Sequence, residues 1–343
     1  MTTGTISIAM ATYNGAKYIT EQLESFSSQT LWPAELVVTD DCSTDGTVEI
    51  ITNFKARAPF PVRIERNDAQ LGYKSNFLKV TSLCRSEFIA FSDQDDVWLP
   101  GKLRACHSAF DQDDILLACH NATVVTETLE PIGPLIRYDD SPDINKWRSE
   151  PSQYGLGFTL MFRRSLLSFS DHWPLSVDFN ALNETKAHDQ WFCFLASCLG
   201  TVAYIKEPQV LYRQHRTSTC GWHETKEPGW WKNLSNSNVD SLKMLEIIAG
   251  SRAAILEKIQ QELPDIQRSR ASSASIGYRN IETYYRLRRE MYETDEVISR
   301  MRHLFGLLLK GGYRPKTQWG VGKKALVRDA ICNVFLKNRN SAS

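Results

Sequence analysis

Three carboxylates, Asp93, Asp95 and Asp96, fall within four residues, directly after the apolar run Phe88-Ile89-Ala90-Phe91 and before Val97-Trp98. The run has the composition of a buried strand. The acids would then sit just past its C-terminal end, the edge at which open α/β sheets bind ligands. Acids this close repel one another and lose hydration unless a cation stands among them. Hard oxygen ligands at this density suit Mg²⁺ or Mn²⁺, and Mg²⁺ normally shares its shell with substrate phosphates. A solvated acidic turn is the bland reading of the same residues.

Four further polar stretches stand at predicted element ends. Thr12-Tyr13-Asn14-Gly15 closes one strand, and Asp40-Asp41-Cys42-Ser43-Thr44-Asp45-Gly46-Thr47 closes a second. His188-Asp189 opens a helix, and Tyr212-Arg213-Gln214-His215 ends a late strand. Singly, each has a structural use: 41–47 is a good capping turn, and Asp189 suits a helix N-terminus. In a parallel sheet, however, the first two share one edge with the Asp93–Asp96 cluster and form a pocket.

The elements that must position these residues alternate over the first hundred positions. Strands are expected at 5–12, 35–40, 62–65 and 88–91. Helices are expected at 17–28, about 46–57, 73–83 and 99–110, the last entered through Pro100. This rhythm predicts a parallel, doubly wound sheet. A fifth strand is expected at 115–119. Residues 127–155, rich in Pro, Asp and Ser, read as a loop. Order returns at 155–162 with a short helix after it. A helix over 186–199 and two strands, 201–205 and 209–212, follow. Amphipathic helices are expected at 239–262 and 276–303. The polar stretch with Trp222, Trp230 and Trp231 marks a boundary near 222–238.

Forty basic and forty acidic side chains cancel, but unevenly: residues 1–120 carry 16 acids and 10 bases, and 301–343 carry nine bases and Asp329 alone. None of the eight cysteines forms a Cys-x-x-Cys pair, which argues against a zinc knuckle. The chain opens without a signal-peptide pattern and has no apolar run of membrane-spanning length. The expectation is a cytoplasmic protein.

Residues 6–104 resemble the nucleotide-sugar-binding half of a family 2 glycosyltransferase. The resemblance is carried by Ala11-Thr12-Tyr13-Asn14, Ser25–Thr30, Asp40–Thr47, Leu71-Gly72 with Asn76-Phe77, and Ser92-Asp93-Gln94-Asp95-Asp96-Val97-Trp98. Gly157–Phe162, His188-Asp189 and Tyr212–His215 continue it. The Asp-Gln-Asp-Asp-Val-Trp and Tyr-Arg-Gln-His forms are similar to the bacterial branch that builds surface polysaccharides, rhamnosyltransferase-like members included. Cys42 departs from the family, where Gly or Asn is more usual.

The resemblance implies the GT-A fold: an α/β, doubly wound, mostly parallel sheet flanked by helices, with a helical C-terminal region. It implies a catalytic domain over 1–222, with a nucleotide-sugar half to about 120 and an acceptor half after it. A linker at 223–238 and a helical region at 239–343 would follow. Thr12, Tyr13 and Asp41 would hold the nucleobase, with Asn14 also in the nucleotide-sugar site. Asp93, with Gln94 as a further nucleotide-sugar contact, would face the ribose and the metal, Asp95 would ligate the metal directly, and Asp96 would support them. Asp189 matches the family's base, and Trp191 and Phe192 after it would exclude water and raise its pKa. His215 would complete the metal shell or contact a phosphate. Arg213 and Arg216, with Lys74 as a weaker candidate, would pair with the diphosphate. The activity implied is inverting transfer from a nucleoside-diphosphate sugar, dTDP-rhamnose or a UDP-sugar, to a saccharide acceptor carried on lipid, with Mn²⁺ or Mg²⁺.

The alternative is a nucleotide-sugar-binding or nucleotidyltransferase-like protein on a similar sheet; no Gly-rich basic loop follows the first strand to favour it. The basic tail raises nucleic-acid binding, but the acidic pocket edge and the lack of an aromatic-basic platform oppose it. Leu304, Leu307, Leu308, Leu326, Ala330, Ile331, Val334 and Phe335 interleave with the tail's bases at helical spacing, with Tyr313 and Trp319 as anchors. Such a pattern either lies on an anionic membrane or packs on the protein with its bases solvated.

Overall fold

The structure is a computed structural model that describes residues 5–136, 155–178, 181–215, 239–316 and 319–331. The expected loop beyond Ile136, the 223–238 linker, Arg216, Trp222, Trp230, Trp231 and the tail after Ile331 lie outside the described residues. The chain divides into two compact units. One comprises 1–142, 154–170 and 187–223; the other comprises 143–153, 171–186 and 224–343.

The first unit is built on a nine-stranded sheet. Its strands are β1 (Ile6–Thr12), β2 (Glu35–Asp40), β3 (Val62–Arg66), β4 (Phe88–Ser92), β5 (Val97–Trp98), β6 (Ile115–Val125), β7 (Pro131–Pro134), β8 (Leu160–Arg163) and β9 (Thr201–Arg213). Their spatial order is β3-β2-β1-β4-β8-β6-β9-β5, with β7 on β6. The first four strands pair in parallel. Ile8 and Ala9 in β1 and Leu36, Val37 and Val38 in β2 point alternately to opposite faces and are all buried, the pattern of strands covered on both faces. The helices between them are α1 (Ile19–Ser27), α2 (Thr47–Lys55) and α3 (Tyr73–Leu83). In α1, Ile19, Leu23 and Phe26 recur at helical spacing and form the buried face. Phe26 meets the Trp98 ring edge-on at 4.7 Å. Truncating Leu23 to Ala there would cost about 2–5 kcal/mol.

Beyond β4 the sheet is mixed, not a continuation of the parallel series. Strand β8 inserts antiparallel between β4 and β6. Two reversals through β8 return β6, and β9 parallel to it, to the direction of β4. The C-terminal ends of β1, β2, β4, β6 and β9 therefore face one edge. The expected pair of strands at 201–205 and 209–212 is one strand, β9. Its register against β6 shifts between Ile205 and Pro208. Pro208 cannot donate to the ladder, and such a residue is accommodated at an irregularity. Helices α4 (Lys102–Ser108) and α5 (His188–Leu199) complete the described α-helices of this unit, and a 3-10 turn, Gly157–Thr159, leads into β8.

The second unit is helical: α6 (Val239–Ile259), α7 (Asp265–Glu293), α8 (Val297–Leu309) and α9 (Lys323–Arg328). The helix expected over 276–303 is two helices. Helix α7 begins earlier, after Pro264, and ends at Glu293. Thr294 then turns extended, and its hydroxyl accepts the N–H of Glu296 at 3.4 Å. A short polar side chain that offers the backbone such a partner competes with the helix. Leu307, Tyr313 and Val321 are buried with Tyr284 in one cluster, against which Leu304 and Leu326 pack. Trp319 lies against Gly277, where a Cβ would meet its ring at 2.2 Å, and edge-on to Tyr278. Part of the tail's apolar face is thus turned inward. No helix among the described residues is long and apolar enough to cross a membrane.

Candidate active site

The parallel registers set Thr12 beside Asp40 and Met10 beside Ser92, so three loops open side by side. Each is held by hydrogen bonds made by side chains. Thr12 Oγ1 donates to Asp40 Oδ1 at 3.0 Å, and the Ser43 N–H donates to Asp40 Oδ2 at 2.8 Å. Asn14 adopts a left-handed φ of 48°; its Oδ1 accepts the Thr44 N–H. Cys42 also has a left-handed φ, 66°. That conformation explains the family's usual Gly or Asn at this position, since both enter the left-handed region most readily.

Asp41 is buried, and its carboxylate is already well used. Oδ1 accepts from Asn67 Nδ2 at 2.8 Å and from the Leu71 N–H at 2.7 Å, and Oδ2 accepts the Gly72 N–H at 2.8 Å. Gly72, at φ 78°, stands at the start of α3, so Asp41 anchors the entry of that helix. A carboxylate has about four acceptor positions, which leaves little spare capacity for a base. Lys74 lies in the first turn of α3, half-buried.

Gln94 braces the acid loop. Its Oε1 accepts the Tyr13 N–H and its Nε2 donates to the Tyr13 carbonyl, each at 2.9 Å. This clasp requires Gly15, because a Cβ there would meet Gln94 Oε1 at 2.3 Å. Tyr13 itself is 45 % exposed, whereas Thr12 and Asp41 are buried.

Ligand-capable oxygens of Asp93, Asp95 and Asp96 lie within 4.8 Å of one another. Burial pushes the Asp93 carboxyl up to about 7, and the charges of Asp95 and Asp189 add to it, while Lys102 opposes them. Burial, then Asp95 and Asp93, likewise raise Asp96. Asp96 Oδ1 accepts the Arg213 N–H at 3.0 Å, and its buried Oδ2 has no hydrogen-bond partner. A crowded, partly protonated acid trio with an orphan oxygen fits a hard divalent cation as donor set.

The end of β9 meets this trio because β5 pairs with it, Val97 opposite Leu211. His215 Nε2 is 2.8 Å from Asp95 Oδ2, and its ring stacks on Tyr18 at 4.6 Å. Arg213 is buried. Its Nε donates to the Asp95 carbonyl at 2.8 Å, and its other nitrogens reach the Glu127 carbonyl and the Glu21 carboxylate. It is therefore a brace for the Asp95 loop, with its donors directed into the protein. Asp189 stands in the first turn of α5, its Oδ1 accepting the Gln190 N–H. It lies near enough for its charge to act on Asp93.

Lys102 escapes a reading of motifs, since one lysine two residues after Pro100 carries no signal. It is fully buried, donates to the Phe158 carbonyl at 2.7 Å and lies 3.4 Å over the Trp98 ring. Burial lowers its ammonium to about 7 against the pull of Cys106, Asp96 and Asp93. It sets a cation behind the acid trio.

An α/β sheet whose ordered loops gather acids, a histidine and hydroxyls at the C-terminal edge is a small-ligand-binding domain. Residues 7–169 match the model of "Glycosyl transferase family 2", and the chain is similar to members of that family. An uncharacterized glycosyltransferase of Nostoc sp. is 32% identical over 223 residues, 61% of this chain and 65% of that protein. The dTDP-rhamnosyl transferase RfbG of Shigella flexneri is 28% identical over 218 residues, 62% of this chain and 73% of its own. Among solved structures, Staphylococcus aureus TarS 1–349 in complex with UDP aligns over 90% of this chain and 93% of its own, at 16% identity and a TM-score of 0.49.

Proposed function

We propose that this protein is a glycosyltransferase that moves a sugar from a nucleoside-diphosphate sugar to a saccharide acceptor by a single inverting displacement. The observation that carries the reading is the meeting of Asp93, Asp95, Asp96 and His215 at the sheet edge, with Asp189 close by. Asp95, Asp93 and His215 would hold Mn²⁺ or Mg²⁺, which when bound supplies positive charge to the departing diphosphate. Asp96, tied to the Arg213 N–H, fixes the loop that presents them.

In this reading Asp189 takes the proton of the acceptor hydroxyl as that oxygen attacks the anomeric carbon. The bond from that carbon to the diphosphate oxygen breaks on the opposite face, and the leaving group keeps the electron pair. Thr12, Tyr13, Asn14 and Asp41 line the nucleobase end, and Lys74 meets the diphosphate. Arg213 contributes by bracing the Asp95 loop. The dTDP-rhamnosyl name of a relative supports a deoxysugar donor, with UDP-sugars as the other class. The resemblance to enzymes that build surface polysaccharides supports an acceptor carried on lipid at the cytoplasmic face of the membrane.

The test is a screen of nucleotide sugars for binding and slow hydrolysis, with Mn²⁺, with Mg²⁺ and with chelator. One donor class should bind and turn over only with metal. Failure of every nucleotide sugar to bind, or release of pyrophosphate from a nucleoside triphosphate and a sugar phosphate, would overturn it.

A further inference from the structure

The outer face of α8 is apolar where a water-facing helix would be polar. Ile298, Met301, Phe305, Leu308 and Leu309 are 75, 40, 55, 41 and 89 % exposed. At about 100° per residue these positions fall within roughly a 100° arc, one continuous stripe. Arg300 and Leu307, on the other side of the helix, are buried. The stripe is therefore separate from the face that joins the helical unit. Val327 and Ile331, one turn apart after it, are 49 and 50 % exposed.

The charge around the stripe is of one sign. Arg302, Lys310, Arg314, Lys316, Lys323 and Lys324 are all exposed. From Val297 to Ile331 the sequence contains one acid, Asp329. Asp329 is fully buried, bound by both Arg288 Nε and Nη2 and by the hydroxyls of Tyr292 and Tyr313. The solvent side of this segment thus offers apolar side chains and cations, and no described carboxylate. An apolar groove on a protein would match the stripe alone. An anionic, apolar-cored surface matches both parts.

We propose that α8 and the basic segment after it dock on an anionic phospholipid bilayer. Helix α8 lies in the plane of the interface, with Phe305, Leu308 and Leu309 among the upper acyl chains and the bases among the headgroups. The structural basis is independent of the donor chemistry and of the acid trio.

Flotation of the full chain with vesicles tests this. The protein should float with phosphatidylcholine containing phosphatidylglycerol and not with phosphatidylcholine alone, and salt should weaken the binding. The paired substitution Phe305→Ser with Leu309→Ser should lower partitioning about tenfold or more. Lys310→Gln and Lys324→Gln should each lower it by about fivefold. These side chains are exposed, so the thermal midpoint should hold in every variant and separates docking from folding. Wild-type protein that fails to float, or a serine variant that floats equally well, would overturn the proposal. So would a stripe substitution that converts a dimer to a monomer with no dependence on lipid, which would make this face a contact between copies.

Discussion

His215 Nε2 lies 2.8 Å from Asp95 Oδ2, although 120 residues of chain separate them. The contact exists because β5 carries the chain away from the acid loop along the same strand, β9, that delivers His215. Tyr18 stacks on the imidazole, so the ring is held before any ligand arrives.

The proposed metal role follows from that contact. His215→Ala should weaken Mn²⁺ binding by about 10–100-fold, read by calorimetric titration in the presence of nucleoside diphosphate. Asp95→Ala should abolish both metal binding and transfer. Wild-type turnover in Asp95→Ala would move the site elsewhere.

Asp189→Asn should retain donor affinity and lose transfer by about 10²–10⁴-fold. The amide keeps the shape of the side chain and can still accept the Gln190 N–H, but cannot take up the acceptor's proton. Donor affinity and turnover measured on the same sample separate the roles. Lost affinity with undiminished turnover per bound donor would make Asp189 a structural residue.

The strand-ending positions of Thr12, Asp40 and Ser92 were legible because apolar runs stop where polar residues begin. Their alignment follows from parallel pairing. The insertion of β8 was not legible, since an apolar run of four residues has the same pattern whichever way its neighbours point. Long side chains were the other gap. Arg213 reads as a phosphate ligand and Gln94 as a donor contact; their bonds to the Asp95 carbonyl and to the Tyr13 backbone are made by groups brought near only by the fold. Likewise, the inward and outward sides of the tail share the same residue types, and only Asp329, the one acid among bases, marks the buried side.

His188 should make the protein acid-sensitive. It is buried, stacked on Phe77 at 3.8 Å and edge-on to Phe91, with neither ring nitrogen hydrogen-bonded. Burial lowers it from 6.5 to about 3. Between those values the unfolded chain binds a proton that the folded chain does not. This group's contribution is therefore fully present above pH 6.5 and is lost as pH falls toward 3, by at most about 1.4 kcal/mol per pH unit. Urea midpoints from pH 7 to about 4.5 should drop less steeply in His188→Gln than in the wild type, whatever its absolute stability. Parallel pH profiles would contradict this account.

Asp329 should be worth more to the helical unit than any exposed ion pair. Its carboxylate takes Arg288 Nε at 2.7 Å and Nη2 at 2.9 Å, with Tyr292 and Tyr313 hydroxyls at 2.9 and 2.8 Å. Burial disfavours the Arg288 charge, but the hydrogen bonds and charge of Asp329 outweigh it and hold the guanidinium firmly protonated. Asp329→Ala leaves that charge buried without its partner and should cost about 3–5 kcal/mol, measured by thermal unfolding of the full chain. Arg288→Met should be similarly harmful. The two together should cost less than the sum, because neither then leaves a buried charge uncompensated. Strict additivity would show that the pair is not coupled and that the tail is held by Leu307, Tyr313 and Val321 alone.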